Sequence, residues 1–149
     1  GISGDVAMGI YDRLHQILPG KPKQIFLLIG VNDISHDLST DSIVNMIEKN
    51  VTRIQRESPE TKLYLQSLLP IDESFNRYKK LTNKTYQIPE INDRLKALAK
   101  EKKIDFIDLY PLFTEKGTNV LRKELTYDGL HLKEEGYKIW VDAIKKKMK

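Results

Sequence analysis

The 149-residue sequence contains no cysteine, which excludes disulfides, cysteine-ligated zinc, iron–sulfur clusters and thiol nucleophiles. It has no apolar run near the ~20 residues that a membrane-spanning helix needs, and no signal peptide is visible. No Pro-, Gly- or Ser-rich linker divides it and no repeat recurs, so one domain is expected across residues 1–149. The ligand spacings H-x-H and H-E-x-x-H are missing, and no metal site is expected. Basic residues interleaved with aromatics, the footprint of nucleic-acid binding, are missing as well. The net charge of +4 does not supply one, because Lys145, Lys146, Lys147 and Lys149 carry the whole excess. They suit the carboxyl end of a final helix. What remains is 40% hydrophobic and 31% charged, the profile of a soluble globular domain.

Hydrophobic periodicity orders that domain. Val6, Ile10, Leu14 and Ile17 form one stripe, predicting a helix from about Asp5 to Leu18 that Pro19-Gly20 ends. Gln24 to Gly30 is a short, nearly continuous apolar run, as expected of a strand covered on both faces. A second helix is predicted from Thr40 to Glu57, and a second strand from Lys62 to Leu69. Ile71 to Ile88 has no clear period and reads as a functional loop or a loop holding a short helix. A third helix follows with Pro89 in its first turn, then a strand from Ile104 to Leu109. After a second irregular stretch, a last helix is predicted from about Lys133. Tyr137, Trp140, Val141, Ile144 and Met148 are assigned to its inner side. Helices and strands thus alternate, which predicts an α/β fold with a parallel sheet between helical layers. Such domains normally open on a strand, whereas this sequence opens on a helix.

In an open α/β sheet, chemistry gathers beyond the carboxyl ends of the strands. The first strand ends in Gly30-Val31-Asn32-Asp33. Asn32 there suits an oxyanion donor, and the same tetrapeptide suits a plain turn. Each of the three histidines follows an aspartate by three residues: Asp12/His15, Asp33/His36 and Asp128/His131. A carboxylate so placed can orient an imidazole and stabilise its protonated form. His15 falls mid-helix and reads as a surface pair. His36 reads either as the rim of a substrate site or as a solvated loop residue. Asp128-Gly129-Leu130-His131 precedes the last helix on the sheet end that Asn32 occupies, so it is the favoured general-base pair, with a helix-entry turn as the alternative. The opening Gly1-Ile2-Ser3-Gly4-Asp5 offers backbone N–H groups at a helix start, and equally an N-cap. It is not a nucleophile elbow.

Taken in order, Ser3-Gly4-Asp5, Gly30 to Asp33 and Asp128 to His131 resemble the second, third and last sequence blocks of the SGNH (GDSL-type) esterases. The likeness extends to Leu69-Pro70 and to Asp108 through Phe113, where it is strongest to relatives of the platelet-activating-factor acetylhydrolase catalytic subunit. The resemblance implies a three-layer α/β/α flavodoxin-like fold. It implies a backbone oxyanion donor at Gly4, a side-chain donor at Asn32, and Asp128 orienting His131 as general base. The family's first block, a Gly-Asp-Ser with the nucleophile at the end of the first strand, has no counterpart in these residues.

The missing block and the missing strand coincide. The expectation is an N-terminally incomplete domain, marginally stable alone, whose serine lies outside the sequence. The function implied is hydrolysis of short acyl esters, above all acetyl groups on carbohydrate or a small lipid, with no cofactor. The expected partner is a small-molecule ester, with no nucleic acid and no membrane span. The segment Asp72 to Tyr86 and His36 are expected to govern selectivity. The alternative is a non-catalytic module that keeps the fold and binds carbohydrate or protein.

Overall fold

The computed structural model describes residues 7–148. Three strands, β1 (Gln24–Leu27), β2 (Lys62–Gln66) and β3 (Asp105–Ile107), form one parallel sheet in the order β1-β2-β3. Gln24 pairs with Lys62 and Tyr64 with Asp105, which sets the register across the sheet. Long helices alternate with the strands: α1 (Ala7–Ile17) before β1, α3 (Thr40–Glu57) before β2, α4 (Gln87–Lys102) before β3, and α6 (Glu134–Met148) last. Two short helices, α2 (Val31–Ser35) and α5 (Tyr110–Phe113), follow β1 and β3 directly. The expected α/β architecture is therefore present.

Both faces of the sheet are covered, as its apolar strands require. Alternation along each strand divides the side chains. Ile25, Leu27, Leu63, Leu65 and Phe106 join the core beneath α1, α3 and α4. Phe26, Tyr64 and Ile107 face the other way, where Leu109, Phe113, Leu121 and Leu125 meet α6. Phe26 and Tyr64 stack there with ring centroids 4.6 Å apart.

Local chemistry sets the helix ends. Ser39 caps α3 by accepting the Ser42 N–H at 3.1 Å, a device that stabilises a helix start by about 1 kcal/mol. α4 begins at Gln87, two residues before Pro89, whose missing N–H would find no acceptor in a first turn anyway. Each predicted strand is shorter in the structure, because its last residues leave the ladder to build the sheet's carboxyl edge. The inner side of α6 differs from expectation in part, with Trp140 and Ile144 placed as predicted. Ile139, Trp140, Ala143 and Ile144 pack on the sheet, whereas Tyr137, Val141 and Met148 are 51%, 46% and 45% exposed. The apolar residues of α6 wrap more than one stripe, and packing on the sheet selects the 139/140/143/144 face.

Candidate active site

The carboxyl edge of the sheet is shaped by β1 and β2 as they end. Gly30 follows β1 with φ +140°, a conformation that side-chain-bearing residues rarely adopt, and a Cβ there would press on the Leu68 methyls at 3.1 and 3.2 Å. Its carbonyl accepts the Ile34 N–H at 3.0 Å, closing the first turn of α2. This sharp turn puts Asn32 on the edge, half-buried. Asp33 points inward instead. It is buried, and its carboxylate accepts the Ala7 N–H of α1 at 3.0 and 3.3 Å, a favourable place for negative charge.

Of the three Asp/His spacings, one forms a carboxylate–imidazole pair. His15 Nδ1 contacts the backbone carbonyl of Asp12 at 2.6 Å. Asp33 is committed to α1, and His36 is an exposed residue capping α2. Asp128 and His131 meet, with Nδ1 2.8 Å from Oδ2. Nδ1 carries the shared proton toward the carboxylate, which leaves Nε2 as the basic nitrogen.

The loop that holds this pair is dense in hydrogen bonds. Oδ1 of Asp128 accepts the Leu130 and His131 N–H groups at 2.9 and 2.8 Å. The Thr126 hydroxyl accepts the Gly129 N–H at 3.0 Å and donates to the His131 carbonyl at 2.6 Å. Gly129 has φ +91°, and a Cβ there would lie 2.3 Å from the Asp72 carbonyl oxygen. Only glycine lets the loop lie against the 71–88 segment so closely. The Asp72 N–H then donates to the Gly129 carbonyl at 2.9 Å.

Tyr78 fastens the pair from that segment. Its hydroxyl donates to Asp128 Oδ2 at 2.7 Å and lies 3.0 Å from His131 Nδ1. Burial by itself raises the Asp128 pKa, but the bonds from His131, the Leu130 and His131 N–H groups and Tyr78 outweigh it. They hold the carboxyl well below the usual carboxylate range. Bonding to the same carboxylate raises the Tyr78 pKa and keeps the phenol protonated. Asp128 is thus a fixed anion, suited to stabilising an imidazolium.

Asn32 and His131 line one cavity of about 760 Å³, together with Ser35, Leu69, Arg77 to Leu81, Tyr137 and Trp140. A smaller apolar recess of about 240 Å³ adjoins it. Ile10, Leu28, Ile29 and Leu68 line the recess, and it shares Asn32 and Leu130 with the larger cavity. His36 is not among the lining residues of either. Gly4 lies outside the described residues. Sequence reasoning missed Tyr78 and Thr126. Tyr78 stands fifty residues from Asp128 in an aperiodic stretch, and only the folded segment relates them. Among the described residues, no group of three or more His, Asp or Glu is placed to hold a metal, and no helix is long and apolar enough to cross a membrane.

An aspartate-paired histidine and an asparagine lining one cavity at the carboxyl edge of a parallel sheet are compatible with the class of α/β acyl-transfer and ester-hydrolysing proteins. The comparisons are more specific. The GDSL-like Lipase/Acylhydrolase family profile matches residues 1–139, and the chain belongs to that family. A GDSL-like lipase structure from Bacteroides thetaiotaomicron superposes with TM-score 0.88 at 25% identity, covering 99% of this chain and 72% of that one. A Streptococcus pneumonia structure, provisionally described as a platelet activating factor, gives TM-score 0.89 at 29% identity, over 100% of this chain and 71% of that one. The N-acylneuraminate cytidylyltransferase of Escherichia coli is 27% identical over 147 residues, 97% of this chain. The chain spans 33% of that relative's length.

Proposed function

We propose that the protein is a serine carboxylic ester hydrolase that removes short acyl groups, above all acetyl, from a carbohydrate. The observation that carries this reading is the Asp128–His131 contact of 2.8 Å at the edge of a cavity that Asn32 also lines. A serine contributed from outside these 149 residues attacks the ester carbonyl, and His131 Nε2 takes its proton. Asp128 remains ionised and stabilises the imidazolium, which then protonates the leaving alcohol. The Asn32 amide and the Gly4 N–H receive the oxyanion, each such donor contributing about 3–4 kcal/mol at the transition state. Water repeats the sequence on the acyl-serine, with His131 as base again. No cofactor enters these steps.

The narrow recess beside Asn32 suits a short acyl chain, and the larger cavity has the size usual for a small-molecule alcohol. The Escherichia coli relative is named for cytidylyl transfer to N-acylneuraminate, an acylated sugar, which supports a carbohydrate over a lipid. Reaction of the full-length protein with a fluorophosphonate, alongside p-nitrophenyl acetate hydrolysis, tests the reading. Labelling of one serine upstream of residue 1, together with hydrolysis that His131→Ala abolishes, is the expected result. Absence of both leaves a non-catalytic binding module.

A further inference from the structure

The larger cavity carries a charge pattern that ester cleavage does not require. Its lining holds Arg77, Lys79 and Lys80 and no aspartate or glutamate, while the Asp128 carboxylate lies behind the wall, its charge engaged by the Tyr78 hydroxyl and the His131 ring. Among the described residues, Arg77, Lys79 and Lys80 form no ion pair, whereas the nearby Lys84 is paired with Asp37. Lys80 feels Asp37 only at longer range.

These cations are held rather than loose at their base. Tyr78, between them, is tied to Asp128 at 2.7 Å. Lys79–Leu81 forms a single helical turn anchored by Leu81, which is 3% exposed. Another part of the lining is aromatic: the Tyr137 and Trp140 rings stack at 6.2 Å and 7°. The Trp140 indole N–H is fixed on Gln66 Oε1 at 2.7 Å. Arg77, Lys79 and Lys80 are exposed, so their joint field draws anions to the cavity by an amount that salt reduces. An aromatic pair offers a flat surface to the C–H face of a sugar ring. A neutral alcohol would use the second feature and gain nothing from the first.

We propose that this cavity is an anionic-sugar subsite. The carboxylate or phosphate of the sugar rests on Arg77, Lys79 and Lys80, and its ring lies on Tyr137 and Trp140. The inference rests on the ester-hydrolase reading for its orientation, with the acyl group directed toward Asn32 and His131. Its binding claim stands without that reading.

Calorimetric titration of the full-length protein with galacturonate and glucose 6-phosphate, each against galactose and glucose, tests it. At least one acidic sugar is expected to bind about tenfold or more tightly than its neutral parent, with the margin shrinking as salt rises. The triple variant Arg77→Gln, Lys79→Gln, Lys80→Gln is expected to lose the margin, and each single substitution part of it, which covers failure of the triple variant to fold. Equal binding of acidic and neutral sugars, no binding of either acid, or a margin that survives the substitutions overturns the proposal. Fluorophosphonate labelling separates the two readings. A protein that is labelled but shows no acid preference loses only the subsite, while an unlabelled protein that prefers acids loses only the esterase.

Discussion

At the scale of single residues, the site is built on one carboxylate with its acceptors filled. Asp128 takes two backbone N–H groups on Oδ1, and the His131 ring and the Tyr78 hydroxyl on Oδ2. Tyr78 acts through Asp128 and is a positioning residue. Removing its hydroxyl in Tyr78→Phe deletes a bond to a charged acceptor, worth about 1.5–3 kcal/mol. A tenfold or greater fall in kcat for p-nitrophenyl acetate, with little change in KM, is expected. A purely structural tyrosine would not show a second, pH-dependent signature. The folded-state pKa of Asp128 is depressed, so its stabilising contribution is complete above the unfolded value of about 3.9 and is lost as pH falls through the lower folded value. The variant raises that folded value. The unfolded value is common to both proteins, so the stability gap between native protein and Tyr78→Phe, measured by urea unfolding, should be full above the variant's folded value and narrow only as pH falls through it toward the lower native value. A gap independent of pH would refute the role.

At the scale of elements, side chains that fasten one element to the exit of another shape the sheet's carboxyl edge. Asn92 of α4 accepts the Leu68 N–H at 2.7 Å and donates to the Leu68 carbonyl at 3.1 Å. The Ser67 hydroxyl likewise accepts the Leu109 and Tyr110 N–H groups at 2.8 and 3.0 Å. Asn92→Ala leaves both buried polar groups of Leu68 unpaired and should cost roughly 2–4 kcal/mol, with Asn92→Asp recovering at most the acceptor half. Thermal or urea melting decides it, and a loss under about 0.5 kcal/mol would mean that water replaces the clamp. Such links explain what could be read in the sequence. α3 was legible from Thr40 to Glu57 because its 3.6-residue stripe is set by a core that lies along its whole length. The strands were legible as apolar runs, and Asp128/His131 as a local spacing. The short helices α2 and α5 were not, since four or five residues carry no period. Tyr78 and Asn92 act across long sequence separations, and no local pattern encodes such a meeting. The face of α6 was read only in part, with Trp140 and Ile144 right, because its apolar residues admit two stripes, and the choice between them belongs to the sheet beneath.

At the scale of the whole molecule, the two faces of the sheet are unequal, and the site spans the difference. Among the described residues, twenty buried side chains form the core under α1, α3 and α4, against six on the α6 side. α3 alone buries Ile43, Val44, Ile47, Val51 and Ile54, whereas Gly136 is the one buried residue of α6. Each fully buried aliphatic side chain contributes about 1.5–3 kcal/mol. Local opening of α6 should therefore cost less than opening α3. The Asp128–His131 loop leads into α6, yet its fastenings run to the stronger side. Asp72 bonds Gly129, Tyr78 bonds Asp128, and Leu130 packs against the larger core. This division predicts that the Asp128–His131 loop stays in place when α6 loosens. In native-state hydrogen exchange, the amides of α6 should exchange on the order of a hundredfold faster than those of α3. The Gly129, Leu130 and His131 amides, each bonded within the loop, should follow α3 rather than the helix they adjoin. Exchange of the loop in step with α6 would show instead that the proposed general base, His131, is held by the weaker face, and that opening α6 would release it.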